Sequence, residues 1–182
     1  FVPAKKNIFG HSMIIHSERL LLRYIEYADA PFILQLLNTP GWLQYIGDRK
    51  VHSIEDAERY ILNGPMKSYE DKGFGLLLVI EKMSGIPIGI CGLLKRDHLP
   101  HPDLGFAFLP EHMGKGYAFE AGTAVLNYGQ ASLHIDTIAA ITLPDNTASV
   151  SLLKKLGFVF EALSKFDDDP EELCLFIRKK EA

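Results

Sequence analysis

The sequence has little cysteine, no clustered metal-ligand residues and no excess of positive charge. It contains two cysteines and seven histidines in 182 residues, and its net charge is −4 with a pI near 6.0. Cys91 and Cys174 lie in apolar runs and form neither a CxxC pair nor a zinc-like spacing. We therefore predict buried reduced thiols, a cytoplasmic location and no structural metal. Nucleic-acid-binding domains are usually basic, so the charge also argues against a nucleic-acid partner.

Long apolar runs are missing as well. No stretch approaches the roughly 18 apolar residues that a membrane-spanning helix needs. The N-terminal stretch "FVPAKKNIFGHSM" lacks the apolar core of a signal peptide. We therefore predict no membrane partner. Residues 1–12 show little periodicity and are interpreted as a native extension or an expression-vector remnant, ahead of a domain at 13–182 with Met13 as a possible natural start.

What the chain does have is a regular succession of apolar segments. Apolar residues make up 47% of it, enough for the core of one domain of this length. Strands are predicted at 17–26, 73–82, 86–96, 103–110, 136–143, 158–163 and 172–178, and helices at 29–38, 53–63, 117–130 and within 144–158. "TPGW" at 39–42 and Gly64-Pro65 are predicted to end the first two helices. This order predicts an α/β (α+β) domain with a mixed, mostly antiparallel twisted sheet of about seven strands flanked by four helices.

Two glycines stand out at the start of one predicted helix. In "LPEHMGKGYAFEAG" (109–122), Gly114 and Gly116 flank Lys115 directly before the helix. Glycine in a helix costs about 1 kcal/mol against alanine. A turn that binds an anion would offset this cost, because a helix N-terminus presents unpaired N–H groups and a partial positive charge. The alternative is a strand-to-helix turn without a ligand.

Two segments of the chain resemble the GNAT superfamily of N-acetyltransferases, and its RimJ/RimL-type branch in particular. "DLGFAFLPEHMGKGYAFEA" and "LPDNTASVSLLKKLGF" carry the resemblance, which covers residues from about 17 to 179. The resemblance implies a sheet whose central strands splay apart, acetyl-CoA as co-substrate without a metal, and a monomer or homodimer. It also implies direct transfer of an acetyl group to a primary amine.

The resemblance assigns the coenzyme A contacts. The family's Gln/Arg-x-x-Gly-x-Gly/Ala motif would hold the diphosphate on the backbone N–H groups of Met113, Gly114, Lys115, Gly116, Tyr117 and Ala118. Met113 departs from the family's Gln/Arg, which weakens a side-chain contact and not the amides. Lys115 adds charge to the phosphates or is simply solvated. Phe108 and Leu109 would pair with the pantetheine arm through main-chain atoms, and Asn146 would contact the arm or cap the next helix.

The leaving thiolate needs a proton or a hydrogen bond. Many superfamily members use a tyrosine for this purpose, but Leu153 occupies that position here and has no group to donate. The RimJ/RimL-type branch has a serine one turn earlier, and Ser149 fits it. The alternative role for Ser149 is that of a second capping hydroxyl.

The attacking amine must lose a proton, so the site needs a base or a chain of waters. Asp103 is the first candidate, because it lies on the strand before the glycine loop and alternation turns it toward the acceptor cleft. The alternative is a surface aspartate. Glu171 and Glu172 are second choices in an acidic loop, and His101 is a weak one.

The acceptor is the least defined part of the site. By resemblance, Trp42, Tyr45 and Arg49 line its wall, unless the aromatic pair only packs the loop on the core. The preferred function is acetylation of a protein or peptide N-terminal α-amine, of the ribosomal-protein type. The alternatives are a small amine (polyamine, amino acid or antibiotic) and a coenzyme-A-binding module without turnover. Fold likeness alone does not decide among them.

Overall fold

A computed structural model of the protein describes residues 14–166 and 171–180. Over these ranges the chain forms one sheet from β1 (Ile14–His16), β2 (Leu20–Tyr24), β3 (Leu76–Glu81), β4 (Pro87–Leu94), β5 (Asp103–Phe108), β6 (Thr137–Thr142), β7 (Val159–Lys165) and β8 (Glu172–Lys179). The spatial order is β1-β2-β3-β4-β5-β6-β8-β7, and every neighbouring pair is antiparallel except β5 and β6. The predicted mixed, mostly antiparallel sheet is thus confirmed, with β1 as an additional short edge strand.

The helices are α1 (Ala30–Leu37), α2 (Pro40–Tyr45), α3 (Ile54–Ile61), α4 (Lys67–Lys72), α5 (Tyr117–Ala131) and α6 (Thr147–Lys155). The chain does not leave the helix at Gly64-Pro65 as predicted, since a π-helical turn at Leu62–Met66 joins α3 to α4. Proline removes one backbone donor and crowds the preceding turn, and the wider turn accommodates both effects. The helical stretch ends at Gly73, which adopts φ +78°.

The segment "TPGW" also differs from its prediction. It ends α1 but begins α2, with Thr39 as N-cap and Pro40 in the first turn. Proline suits that position because its fixed φ matches the helix and its missing N–H would be unpaired anyway. Likewise, only part of the predicted first strand at 17–26 is a strand, because residues 17–19 form the turn between β1 and β2, and β2 ends at Tyr24.

Helices cover both faces of the sheet. On β3, Leu77 and Val79 pack with α5 and α6, while Leu76 and Leu78 pack with α1 and α3. This arrangement confirms the interpretation of the continuous apolar segment 73–82 as a strand covered on both faces.

The sheet opens between β5 and β6. These strands pair at one position within the described residues, Asp103 with Ala139, where the Ala139 N–H donates to the Pro102 carbonyl at 2.8 Å. Beyond it β5 stays paired with β4 as far as Phe108, and β6 stays paired with β8 as far as Thr142. The β5–β6 gap therefore widens toward the end of the sheet where α5 and α6 begin, which confirms the splayed central strands.

Candidate active site

The glycine loop lies at the open end of the β5–β6 gap and leads directly into α5. Gly114 has φ +71° and Gly116 has φ +81°, a backbone region that side chains with a Cβ rarely adopt. Gly116 is the N-cap of α5 and offers no side-chain cap. The first N–H groups of the helix thus lack intrahelical partners and point out of its end. An anion seated there would satisfy them.

The side chains around the loop stabilise its backbone and do not fill the space in front of its N–H groups. Tyr117 is 8% exposed and its hydroxyl donates to Glu81. Met113 is 55% exposed, so its bulky side chain leaves the amides accessible. Lys115 is exposed, and its carbonyl accepts a hydrogen bond from Arg19 Nη1 at 3.0 Å. A contact between the Lys115 ammonium and a phosphate stays a prediction.

One predicted backbone contact needs correction. The Leu109 N–H donates to the Ile88 carbonyl at 3.0 Å, and its own carbonyl accepts from His112 N–H at 3.0 Å. Both groups are thus engaged within the protein. Antiparallel pairing alternates, so Phe108 and Phe106 are the residues whose backbone groups face away from β4 and into the gap. Sequence reasoning missed Phe106 because side-chain alternation does not reveal which neighbour uses each backbone group.

The N-terminus of α6 lies beside the same opening. Asn146 caps this helix, because its Oδ1 accepts from the Ser149 N–H at 3.2 Å. The capping role proposed for Asn146 is therefore real, and it uses only the amide oxygen. Ser149 contributes its backbone N–H to this cap and is half-buried. Leu153, which replaces the family's tyrosine, is 1% exposed and packs in the core.

Asp103 lies at the closed end of the gap and is not a surface residue. It is 1% exposed, and Arg96 Nε lies 3.2 and 3.1 Å from its two carboxylate oxygens. Burial raises the pKa of Asp103, and the charge of Arg96 opposes this rise only in part. A carboxylate with a raised pKa is a better proton acceptor than an ordinary one.

The structure gives less support to the other candidates for the general base. Glu171 and Glu172 are exposed at the start of β8, and residues 167–170 of their acidic loop lie outside the described residues. His101 is half-buried. The His98 and Phe166 rings are 4.7 Å apart, so the loop before β5 contacts the end of β7.

The predicted acceptor wall divides into a packed part and an accessible part. Trp42 is 6% exposed and donates its Nε1–H to the Gly47 carbonyl at 3.1 Å, so it supports the loop from beneath. Tyr45 is half-buried and Arg49 is exposed. Burial raises the pKa of Tyr60, while the charges of Arg49 and Arg96 lower it. The charges of two arginines thus act on one partly buried phenol, a grouping that sequence spacing did not reveal.

A cavity of about 140 Å³ lies between α5 and the end of α6, one turn below the glycine loop. It is lined by Phe119, Thr123, Leu126, Asn127, Lys155, Leu156 and Arg178. Arg178 Nε donates to the Leu156 carbonyl at 3.0 Å, while its Nη1 is buried without a hydrogen-bond partner in the described part of the chain. Cationic and hydrogen-bonding groups around an open space can receive a phosphate.

Other predictions concern groups that the site does not use. Cys91 and Cys174 are buried free thiols, as predicted. Across residues 14–166 and 171–180, no helix is both long enough and apolar enough to cross a bilayer. No group of three or more His, Cys, Asp or Glu side chains in those ranges could hold a metal ion.

The splayed sheet with an amide-rich helix N-terminus at its open end is that of an acetyl-CoA-dependent N-acetyltransferase. Residues 19–159 match the family model described as "Acetyltransferase (GNAT) domain". The chain therefore belongs to the GNAT family of acetyltransferases.

Curated relatives agree with this family but differ in their acceptors. The N-acetyltransferase YoaA of Bacillus subtilis is 30% identical over 152 residues, covering 82% of this chain and 85% of YoaA. The ribosomal protein uS5-alanine N-acetyltransferase of Escherichia coli is 42% identical over 62 residues, 34% of this chain and 32% of that enzyme. Spermidine N(1)-acetyltransferase of Vibrio cholerae is 26% identical over 147 residues, 80% of this chain and 82% of that enzyme.

Solved structures share the fold over nearly the whole chain. A GNAT-family acetyltransferase of Bacillus anthracis has a TM-score of 0.73 and 26% identity, covering 91% of this chain and 96% of that one. RimL, a ribosomal L7/L12 α-N-protein acetyltransferase solved in complex with coenzyme A, has a TM-score of 0.78 and 19% identity, covering 92% and 98%. The RimJ/RimL-type resemblance is thus confirmed at the level of fold.

Proposed function

We propose that this chain acetylates the N-terminal α-amine of a protein or peptide. The observation that carries this proposal is the buried pair of Asp103 and Arg96, 3.1 Å apart. Arg96 neutralises this carboxylate, and the charges of Arg96 and Arg49 both act on the Tyr60 phenol. This part of the acceptor region therefore does not attract a polycation. An α-amine carries at most one charge at its reacting end and needs less acidic surroundings.

The chemistry of the two amines leads to the same choice. An α-amine has a pKa near 8, whereas an alkylamine has one near 10. A fraction of α-amine is thus already neutral at pH 7, so a single buried carboxylate such as Asp103 suffices as the proton acceptor. A polyamine would require stronger help with deprotonation. The uS5-alanine relative supports this acceptor, and the spermidine relative keeps the small amine as the rival.

The chain's residues divide the reaction among them. The amides of residues 113–118 bind the diphosphate of acetyl-CoA, and the backbones of Phe108 and Phe106 pair with the pantetheine arm. That arm has as many main-chain bonds as about four extended residues, or roughly 13 Å. It therefore carries the thioester from the loop into the gap beside Phe108 and Phe106, on the way toward the closed end where Asp103 lies.

At the thioester the amine nitrogen forms a bond to the acetyl carbon, and the carbon–sulfur bond breaks. Asp103 takes the proton that the amine loses through a chain of waters and later returns it to solvent. The Ser149 hydroxyl donates a hydrogen bond to the leaving thiolate, which takes up one proton from solvent, so that the products are the amide and the free thiol. The cavity at Lys155 and Arg178 receives the 3′-phosphate of the adenosine, which one ribose separates from the diphosphate.

A panel of acceptors with thiol release as readout tests the proposal. The panel holds peptides with a free N-terminus and an internal lysine, the same peptides with a blocked N-terminus, spermidine and free amino acids. We expect turnover with the free peptides and none with the blocked ones. Preferential turnover of spermidine would contradict the peptide acceptor. Coenzyme A binding by calorimetry without thiol release for any amine would leave only the binding module.

A further inference from the structure

The turn between β1 and β2 reaches across to the first turn of α5. The Ser17 hydroxyl and the Arg19 N–H both donate to Glu120 Oε1 at 2.7 Å, and Arg19 Nε donates to Glu120 Oε2 at 2.7 Å. The Glu120 side chain is only 16% exposed. Three donors from residues 17–19 thus enclose one carboxylate a hundred residues away in sequence.

The same guanidinium contacts the glycine loop itself. Arg19 Nη1 donates to the Lys115 carbonyl at 3.0 Å, and its Cζ lies 4.4 Å from the centre of the Tyr117 ring. A Cβ on Gly116 would lie 3.3 Å from Arg19 Nη2. One side chain therefore contacts Lys115 and Tyr117, on either side of Gly116, and Glu120 in the helix that follows.

Glu120 creates an electrostatic difficulty that Arg19 resolves. A carboxylate in the first turn stabilises the helix end, but it also repels an anion bound at the same end. Burial would raise the pKa of Glu120, but hydrogen bonds from Ser17 and Arg19 and the charge of Arg19 outweigh burial and lower it. Glu120 is therefore ionised at neutral pH and needs a cation beside it when a diphosphate binds.

We propose that Arg19 is a positioning residue that fixes the glycine loop in its diphosphate-binding conformation and neutralises Glu120 toward the ligand. The inference rests on the proposed binding of the diphosphate by residues 113–118. Gly114 and Gly116 are free to leave their left-handed conformations, and a loop that must be ordered on binding loses affinity. Arg19 removes that cost before the ligand binds, because it contacts the Lys115 carbonyl, the Tyr117 ring and Glu120 in α5.

Kinetics with two acetyl donors test this role. S-acetylpantetheine carries the same thioester as acetyl-CoA but lacks the diphosphate. We expect Arg19→Lys to raise KM for acetyl-CoA about tenfold and to leave kcat within about twofold, because the lost binding is the same in the ground state and the transition state. The kcat/KM for S-acetylpantetheine should not change. Arg59→Lys is the matched control, since Arg59 also pairs with a carboxylate, Asp56, but on α3.

A second substitution separates charge from packing. Glu120→Gln in the Arg19→Lys background removes the uncompensated carboxylate, so the double variant should recover part of the affinity for acetyl-CoA. Equal losses with both donors, or an unchanged KM for acetyl-CoA in folded Arg19→Lys, would overturn the inference. If the wild type itself does not distinguish the two donors, the diphosphate assignment fails, and the role of Arg19 fails with it.

Discussion

Substitution of Gly116 by valine tests the amide cradle at the residue where backbone conformation matters most. Gly116 combines φ +81° with ψ 0° at the N-cap of α5. A residue with a Cβ pays about 1–2 kcal/mol in this left-handed region, and a β-branched one pays more. Its Cβ would also lie 3.3 Å from Arg19 Nη2, closer than an ordinary contact.

The cost should appear in coenzyme A affinity. If the free loop relieves its strain by leaving the left-handed region, its N–H groups turn away from the ligand site. Binding must then restore the strained conformation. A penalty of about 1–2 kcal/mol corresponds to roughly 5- to 30-fold weaker binding. Because valine is β-branched and costs more than the lower end of this range, we expect affinity to fall at least about tenfold by calorimetry.

Gly73→Val is the matched control for Gly116→Val. Gly73 has φ +78° and also lies at a helix terminus, the C-terminal one of α4. A Cβ there meets nothing within 4 Å, and the residue precedes β3 and is not in the loop. Both variants should lose thermal stability to a similar extent, while only Gly116→Val should lose affinity. A folded Gly116→Val protein that binds coenzyme A as tightly as the wild type would refute the cradle.

Three further substitutions test the remaining roles. Ser149→Ala should lower kcat about tenfold and leave KM for acetyl-CoA nearly unchanged, whereas a loss of stability without a loss of kcat would indicate only a role in the helix end. Burial raises the pKa of Asp103, so wild-type kcat/KM should fall as pH drops through a value above the usual aspartate range. Asp103→Asn should reduce kcat/KM at pH 7 and recover part of it at higher pH, where the free amine is already neutral. If kcat and KM of this variant match the wild type across pH 6.5–9, Asp103 has no part in the mechanism. Lys155→Met should reduce the preference for acetyl-CoA over its 3′-dephospho form. Lys154→Met, at the exposed neighbouring residue, is the control and should leave this preference unchanged.

The sequence predicted the parts of this protein that depend on local pattern. The glycines at 114 and 116 indicated a turn directly before a helix, and the structure has this turn, with positive φ at both residues. The continuous apolar run at 73–82 indicated a strand covered on both faces. Pro65 misled the prediction because a π-helical turn can accommodate a proline that an α-helix cannot.

The sequence pattern could not predict contacts between segments that are far apart along the chain. Asp103 was weighed against a surface position, yet Arg96 and the surrounding core bury it almost completely. Leu109 was expected to offer its backbone to the ligand, but the local turn and β4 already use it. Arg19 was not singled out from the sequence, because nothing in its neighbourhood along the chain reveals its contact with Glu120.

The single pairing between β5 and β6 also has a mechanical consequence. Backbone hydrogen bonds join strands β1 to β5 into one block and β6 to β8 into another, but the two blocks share almost none. An extended ligand in the gap would act as a bridging strand and couple blocks that can otherwise open separately. Hydrogen exchange should therefore slow in β6 and β8 on addition of coenzyme A, well beyond the residues that the ligand contacts. A co-substrate bound in this way would add backbone hydrogen bonds between two blocks that are otherwise joined mainly by side-chain packing.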